Sequence, residues 1–135
     1  MDLDRALRIA SSGMQAQSAR LRVVAENLAN RDSTGQSAGA DPYRRKTITF
    51  ASRLDRASGT ELVRVARVGT DASAFPQRHD PAHPAADERG YVKTPNVSSL
   101  IEVMDMREAQ RSYNANIAVL ETTRGMLTRT IEALR

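Results

Sequence analysis

The stretch LDRALRIASSGMQAQSARLRVVAENLAN, residues 3–30, decides the fold. Leu3, Leu7, Ala10, Met14, Gln17, Leu21, Val24 and Leu28 alternate steps of four and three residues, and seven of these eight are apolar. That spacing lays them along one stripe of an α-helix. At a rise of about 1.5 Å per residue the helix is about 40 Å long. Ser11-Ser12-Gly13 lies inside the stripe and weakens it, because a mid-helix Gly costs about 1 kcal/mol relative to Ala. Asn27 and Asn30 bracket Leu28-Ala29. Asn prefers helix ends and turns, so the pair points to hydrogen bonding at the helix terminus or to an ordinary helix exit. The polar run Arg31-Asp32-Ser33-Thr34-Gly35 follows.

The other end of the chain repeats the device. Val103, Met106, Gln110, Tyr113, Ile117, Leu120, Arg124, Leu127, Ile131 and Leu134 keep the same spacing, and eight of the ten are apolar. Ser99 and Glu102 have the spacing of a capping box at its start. A helix of about 35 residues would reach roughly 50 Å.

Between the two seams lie the breakers. All five prolines fall between Pro42 and Pro95, and five of the seven glycines between Gly35 and Gly90. Since Pro and Gly punctuate structure, the chain divides into an N-terminal helix (1–30), a small β-rich middle domain with loops (31–96) and a C-terminal helix (97–135). Residues 43–50, Leu62–Val68 and Gly90–Lys93 read as strands of one small antiparallel sheet of three or four strands. That sheet would hold four of the five aromatics. Arg53–Gly59 and Asp80–Arg89 read as loops. The fold class expected is α+β: two long terminal helices packed as an antiparallel, coiled-coil-like pair, with a small β-rich middle.

The 135 residues suit one domain. The chain has no Cys and no Trp. Zero Cys excludes a disulfide framework, a zinc ribbon and a thiol nucleophile. No stretch is long and apolar enough to span a membrane. Met1-Asp2-Leu3-Asp4 lacks the basic region and apolar run of a secretory signal. His79 and His83 stand four apart near Asp80 and Asp87, which on a helix could bind zinc and serve a metal-dependent enzyme. Pro81 and Pro84 argue for a rigid surface turn instead. No glycine-rich phosphate loop or nucleophile elbow is present. The residues therefore point to no enzyme, no catalytic or metal site and no cofactor.

The net charge is +4, carried by 20 Lys+Arg against 16 Asp+Glu. The excess is local: residues 31–60 hold six basic and three acidic groups, centred on Arg44-Arg45-Lys46. That run beside Tyr43 is the one feature that would suit a small nucleic-acid-binding protein, although no DNA- or RNA-binding motif accompanies it. An acidic protein neighbour or an anionic polymer fits the same run.

Two long helices with one apolar seam each can pair together, pair with partners or lie on a membrane. An interfacial helix carries bulky aromatics below and Lys or Arg around its polar face. Here the seams are Leu, Met, Ile and Ala, and the polar faces carry both signs. A two-helix unit buries too little apolar surface to offset the entropy of ordering it, which favours seams completed by other chains.

Several motifs resemble one family. Ser11-Ser12-Gly13-Met14-Gln15-Ala16-Gln17 and Glu26-Asn27-Leu28-Ala29-Asn30 are similar to the N-terminal signature of flagellar rod and hook proteins. Pro42-Tyr43-Arg44-Arg45-Lys46, the block from Asp80 to Val97 and Arg111-Ser112-Tyr113-Asn114-Ala115-Asn116 resemble the proximal rod subunits within that family. The resemblance spans the chain in order and departs from the common pattern at Glu26 and Arg31-Asp32. It implies a structural subunit that stacks helically into the motor's drive shaft around a central export channel and is required for motility. Expected partners are further copies, other proximal rod subunits, the rod–ring adaptor, the distal rod and the flagellar type III export apparatus, with no nucleic acid and no direct membrane insertion. The expected location is the periplasmic rod of the basal body, reached without a cleaved signal. A non-closing contact between identical subunits generates a helical filament, and folding coupled to binding suits a chain that passes a narrow channel. On seams and resemblance together, the expected assembly interface is Leu3, Leu7, Met14, Leu21, Val24, Asn27, Leu28, Asn30, Tyr113, Asn116, Ile117, Leu120, Leu127, Ile131 and Leu134.

Overall fold

A helix α1 runs from Leu3 to Ala29 and a second, α2, from Ser99 to Ala133 in the computed structural model, which describes residues 2–135. Four strands lie between them: β1 (Lys46–Asp55), β2 (Thr60–Thr70), β3 (Gln77–His79) and β4 (Tyr91–Lys93). The α+β class follows. The strands do not form one sheet as expected. β1 pairs with β2 and β3 with β4, giving two separate two-stranded sheets.

The chain resolves into two compact units. The first takes residues 1–21, 48–67 and 107–135; the second takes 22–47 and 68–106. Each unit draws on both helices, so both cut across the helix–middle–helix division of the sequence.

In the first unit small residues set the helix packing. Ala10, Ala16 and Ala109 are buried. A Cβ placed on Gly13 would lie 2.8 Å from Asn116 Nδ2, closer than real side chains approach. Gly13 is thus the point of close approach to α2, and its helix-propensity cost is exchanged for packing. Arg20 Nη2 meets Glu108 Oε2 at 3.4 Å. The pairs Gly13–Asn116 and Arg20–Glu108 step in opposite directions, so α1 and α2 are antiparallel. The same stagger puts Leu3 opposite about residue 126. Beyond that point α2 has run past the start of α1. Thr123 is the last buried residue of α2, and every residue from 124 to 135 is exposed.

The β1–β2 hairpin belongs largely to this unit. β1 was expected over 43–50 and instead runs from 46 to 55, because Tyr43–Arg45 are held in a hydrogen-bonded loop while pairing with β2 carries the strand through the polar Ser52 and Arg53 to Asp55. The turn at 56–59 is tied by Asp55, which accepts from the Ser58 hydroxyl at 2.6 Å and, through its carbonyl, from Gly59 N–H at 2.8 Å. So short a connection requires antiparallel strands. On α1, Ser12 is buried; its hydroxyl donates to the Ile9 carbonyl at 2.8 Å and accepts from Val63 N–H at 3.3 Å.

In the second unit Gln77, Arg78 and His79 pair antiparallel with Lys93, Val92 and Tyr91. β3 carries no apolar residue and was not expected from the sequence. Val92 is fully buried and Ala85 nearly so. Gly90 closes the turn at φ 79°, and a Cβ there would meet Pro81 Cγ at 2.9 Å, so only Gly fits. Only Phe50 and Tyr91 of the aromatics lie on strands; Tyr43 and Phe75 sit in loops, where they make polar and cation contacts. The capping box is not formed either. The Glu102 N–H bonds the Ser98 carbonyl at 3.0 Å, Ser99 Oγ accepts from Arg31, and the Glu102 side chain turns inward.

Candidate functional site

The second unit is organised by a polar knot around Asn27, at the end of α1. Asn27 is 1% exposed. Its Nδ2 donates to the Lys46 carbonyl at 2.9 Å and to Glu102 Oε2 at 3.3 Å. Its Oδ1 accepts from the Tyr43 hydroxyl at 2.8 Å and from Lys46 N–H at 2.9 Å. All four hydrogen-bonding positions of the amide are used. Asn30 is an exit residue, its Nδ2 donating to the Glu26 carbonyl at 2.9 Å. The paired asparagines therefore do different work: one caps the helix and the other ties it to two distant segments.

Glu102 is the counterweight. Its side chain is 0% exposed and its carboxylate is held by Arg45 Nε as well as Asn27. Arg45 reaches Asp71 at 3.6 Å, and its N–H donates to Asn96 Oδ1 at 2.8 Å. Asn96 Nδ2 in turn donates to the Asp71 and Ser73 carbonyls at 3.1 and 3.2 Å. A buried carboxylate is tolerated only when paired and hydrogen-bonded, and here both conditions hold. Burial pulls the Arg45 guanidinium down, but the bond to Glu102 and the charges of Glu102, Asp71 and Asp105 more than offset it, and the group stays above its ordinary value. Burial, with Glu26 and Glu102 nearby, pushes the Tyr43 phenol up and keeps it a donor. The backbone N–H and the hydroxyl of Ser73, then Arg45, hold Asp71 below the usual carboxylate range.

The basic run is consumed by the same unit. Arg44 donates to the Asp71 and Ser73 carbonyls at 2.8 and 3.0 Å and stacks 4.1 Å over Phe75. Arg45 is bound by Glu102. Lys46 Nζ pairs with Glu26 at 2.5 Å. The charges that suggested nucleic acid are thus internal ties. His79 packs edge-on to Tyr91, with centroids 5.0 Å apart, and His83 Nδ1 accepts from Ala85 N–H at 3.0 Å.

The seam residues of the expected interface divide into three groups. Val24 joins Asn27 in the interior. Leu3, Leu7, Met14, Leu21, Leu28, Asn30, Tyr113, Asn116, Ile117 and Leu120 are half-buried. Leu127, Ile131 and Leu134 are 39%, 51% and 83% exposed. Along α2 the inward line is Glu102, Ala109 and Thr123, all buried, with the half-buried Asn116 between them, one residue before the expected Val103, Gln110, Ile117 and Arg124. The close approach selects small or hydrogen-bonded residues and displaces the bulky apolar ones to the flanks. Leu100, Ile101 and Met104 are exposed in the first turns of α2 and were not singled out in the sequence. Glu102 was missed as a centre because its spacing read as a cap. The seven-residue recurrence of Glu102, Ala109, Asn116 and Thr123 is the signal that could have found it.

Comparison with known proteins agrees with the motifs. Residues 7–35 match the family described as flagella basal body rod protein, and residues 88–133 match flagellar basal body rod FlgEFG protein C-terminal. A flagellar basal-body rod protein FlgC of Agrobacterium fabrum is 54% identical over 98% of this chain and 96% of its own length. FlgC proteins of Escherichia coli and Aquifex aeolicus are 41% and 38% identical, over 91% and 98% of this chain and the same shares of their own lengths. End-to-end similarity at this level leaves one conclusion: the chain belongs to the FlgC family of flagellar basal-body rod proteins.

Proposed function

We propose that this chain is a structural, non-catalytic subunit of the proximal flagellar rod, assembled through its terminal helices and required for motility. Membership of the rod family supports this. The structural observation that carries it is the end of α2. The helix outruns α1 by about two turns, and Leu127, Ile131 and Leu134 hold a seam left exposed among the described residues. Exposed apolar residues at helical spacing mark an interaction surface. An antiparallel partner helix from a neighbour would continue the stripe that α1 covers up to Thr123.

In this reading Leu3, Leu7, Met14 and Leu21, with Tyr113, Ile117 and Leu120, supply the half-buried flanks on which neighbouring subunits pack. Asn27, from inside, and the half-buried Asn116 hold the helices in register. The partners are further copies, other proximal rod subunits, the rod–ring adaptor and the distal rod. The route is the type III export apparatus without a cleaved signal, and the destination is the periplasmic part of the basal body. No described helix is long and apolar enough to cross a membrane.

Deletion with complementation tests the proposal, scored by imaging isolated basal bodies. The expected deletion phenotype is a membrane-embedded stub without a rod, restored by the intact chain. Complete rods in the deletion strain would overturn it.

A further inference from the structure

The first unit carries a second exposed surface that the helical seams do not use. Within residues 48–67 the β1–β2 hairpin bears Arg53, Arg56, Arg64 and Arg67, all exposed, against only Asp55 and Glu61. Asp55 is already committed to Ser58, to Ala57 N–H and to Arg8, which it faces at 3.9 Å. No ion pair joins the four arginines to other described residues. Leu54 and Val63 are exposed among them. The sheet has only two strands, so each strand has one outer edge with no strand beside it. β2 gives an N–H at Val63 to Ser12 of α1. On β1, which is ten residues long and free of Pro, Asn27 of α1 takes the N–H and C=O of Lys46, while among the described residues nothing outside the hairpin hydrogen-bonds to the backbone of 47–54.

An unblunted edge strand is a template for another strand, and strand addition gains its affinity from main-chain hydrogen bonds and its selectivity from flanking side chains. Here the flanking side chains are cationic, with Arg and Leu mixed as in protein interfaces. A second copy of the hairpin would set arginines against arginines. A nucleic acid would need aromatic stacking platforms, and β1 offers only the half-buried Phe50. A membrane surface would need an aromatic-rich apolar face. We propose that the β1 edge of the hairpin, flanked by Arg53, Arg56, Arg64 and Arg67, is a docking site for an extended acidic segment of another protein, which adds as a third strand.

The test uses the purified full chain and a fluorescent peptide of about eight residues alternating Glu with Thr or Val. The expected result is binding that weakens as salt screens the charges, with amide protection appearing at residues 47–54. Arg53→Glu/Arg64→Glu should weaken binding at least tenfold; Arg53→Lys/Arg64→Lys should retain most of it. Should the reversal variant lose its helical circular dichroism, Arg53→Gln/Arg64→Gln replaces it, with a smaller loss expected. Absence of peptide binding to the folded chain overturns the proposal. So does protection that appears elsewhere, or binding to anionic vesicles, single-stranded DNA or a second copy through the same arginines in place of the peptide. These readouts are made in solution and stand apart from rod assembly in cells.

Discussion

The polar knot and the end of α2 treat their burial problem in opposite ways. Around Asn27, polar groups from residues 27, 43–46, 71–73, 96 and 102 satisfy one another, and little is left for a partner. Along residues 124–135 every residue is exposed, apolar ones included. The first region is closed chemically by its own chain. The second has a helix but no cover, because α1 stops short. A subunit that must keep its own shape and still polymerise needs both: a specified interior and an apolar face left open.

The sharpest way to break this contrast is to charge the open end. Leu127→Asp should abolish rod assembly and swimming while changing monomer unfolding by no more than about 0.5 kcal/mol, since the site is exposed. Motility with normal rods would remove the seam assignment. A large drop in the urea midpoint would show instead that the end is not open.

Charging or emptying the closed region should do the reverse. Glu102→Ala takes from Arg45 its nearest carboxylate, leaving Asp71 at 3.6 Å, and from Asn27 one of its four hydrogen bonds, and breaking a buried pair is costly. Because Arg45 keeps some access to water, the expected loss is about 2–3 kcal/mol in equilibrium unfolding. Asn27→Ala should cost a similar amount and loosen the Tyr43 loop, visible as faster amide exchange at Lys46.

A smaller effect is expected where the helices touch. Gly13→Ala gains about 1 kcal/mol of helix propensity and loses more to overpacking against Asn116, for a net destabilisation of about 1 kcal/mol. In an Asn116→Ala background the clash disappears, and Gly13→Ala should become neutral or stabilising. A double-mutant cycle reads the coupling directly.

The smallest effect is acidic. Asp71 is held down by the Ser73 N–H, Asp87 by the Tyr91 N–H and Asp55 by the Ser58 hydroxyl. A carboxyl lowered in the folded state adds stability above its unfolded pKa, about 3.9. That stability is lost as pH falls through the lower folded values. Urea midpoints should therefore stay flat toward pH 5 and fall below about pH 4. A midpoint that rises on acidification would contradict the sign.

Both helices were legible because hydrophobic periodicity is a local signal. Their limits came within a few residues: 3–29 observed against 1–30 expected, and 99–133 against 97–135. The exposure of Leu127, Ile131 and Leu134 was not legible, since it depends on the stagger of α1 against α2. Nor was the knot. Asn27, Arg45 and Glu102 are 18 and 57 residues apart, and nothing local says that an arginine in a basic run will be spent on a buried carboxylate.

The lone chain of residues thus decides that two amphipathic helices flank a breaker-rich β segment, since apolar spacing and Pro/Gly placement act over a few residues. It also carries the family motifs. Only the tertiary structure decides that the strands split into two sheets and that the polar and small line 102–109–116–123 faces inward. It also decides that the basic run is spent internally while the hairpin arginines remain outside. Those outcomes depend on distances between groups far apart in sequence, where desolvation and close approach, and not periodicity, choose the partner.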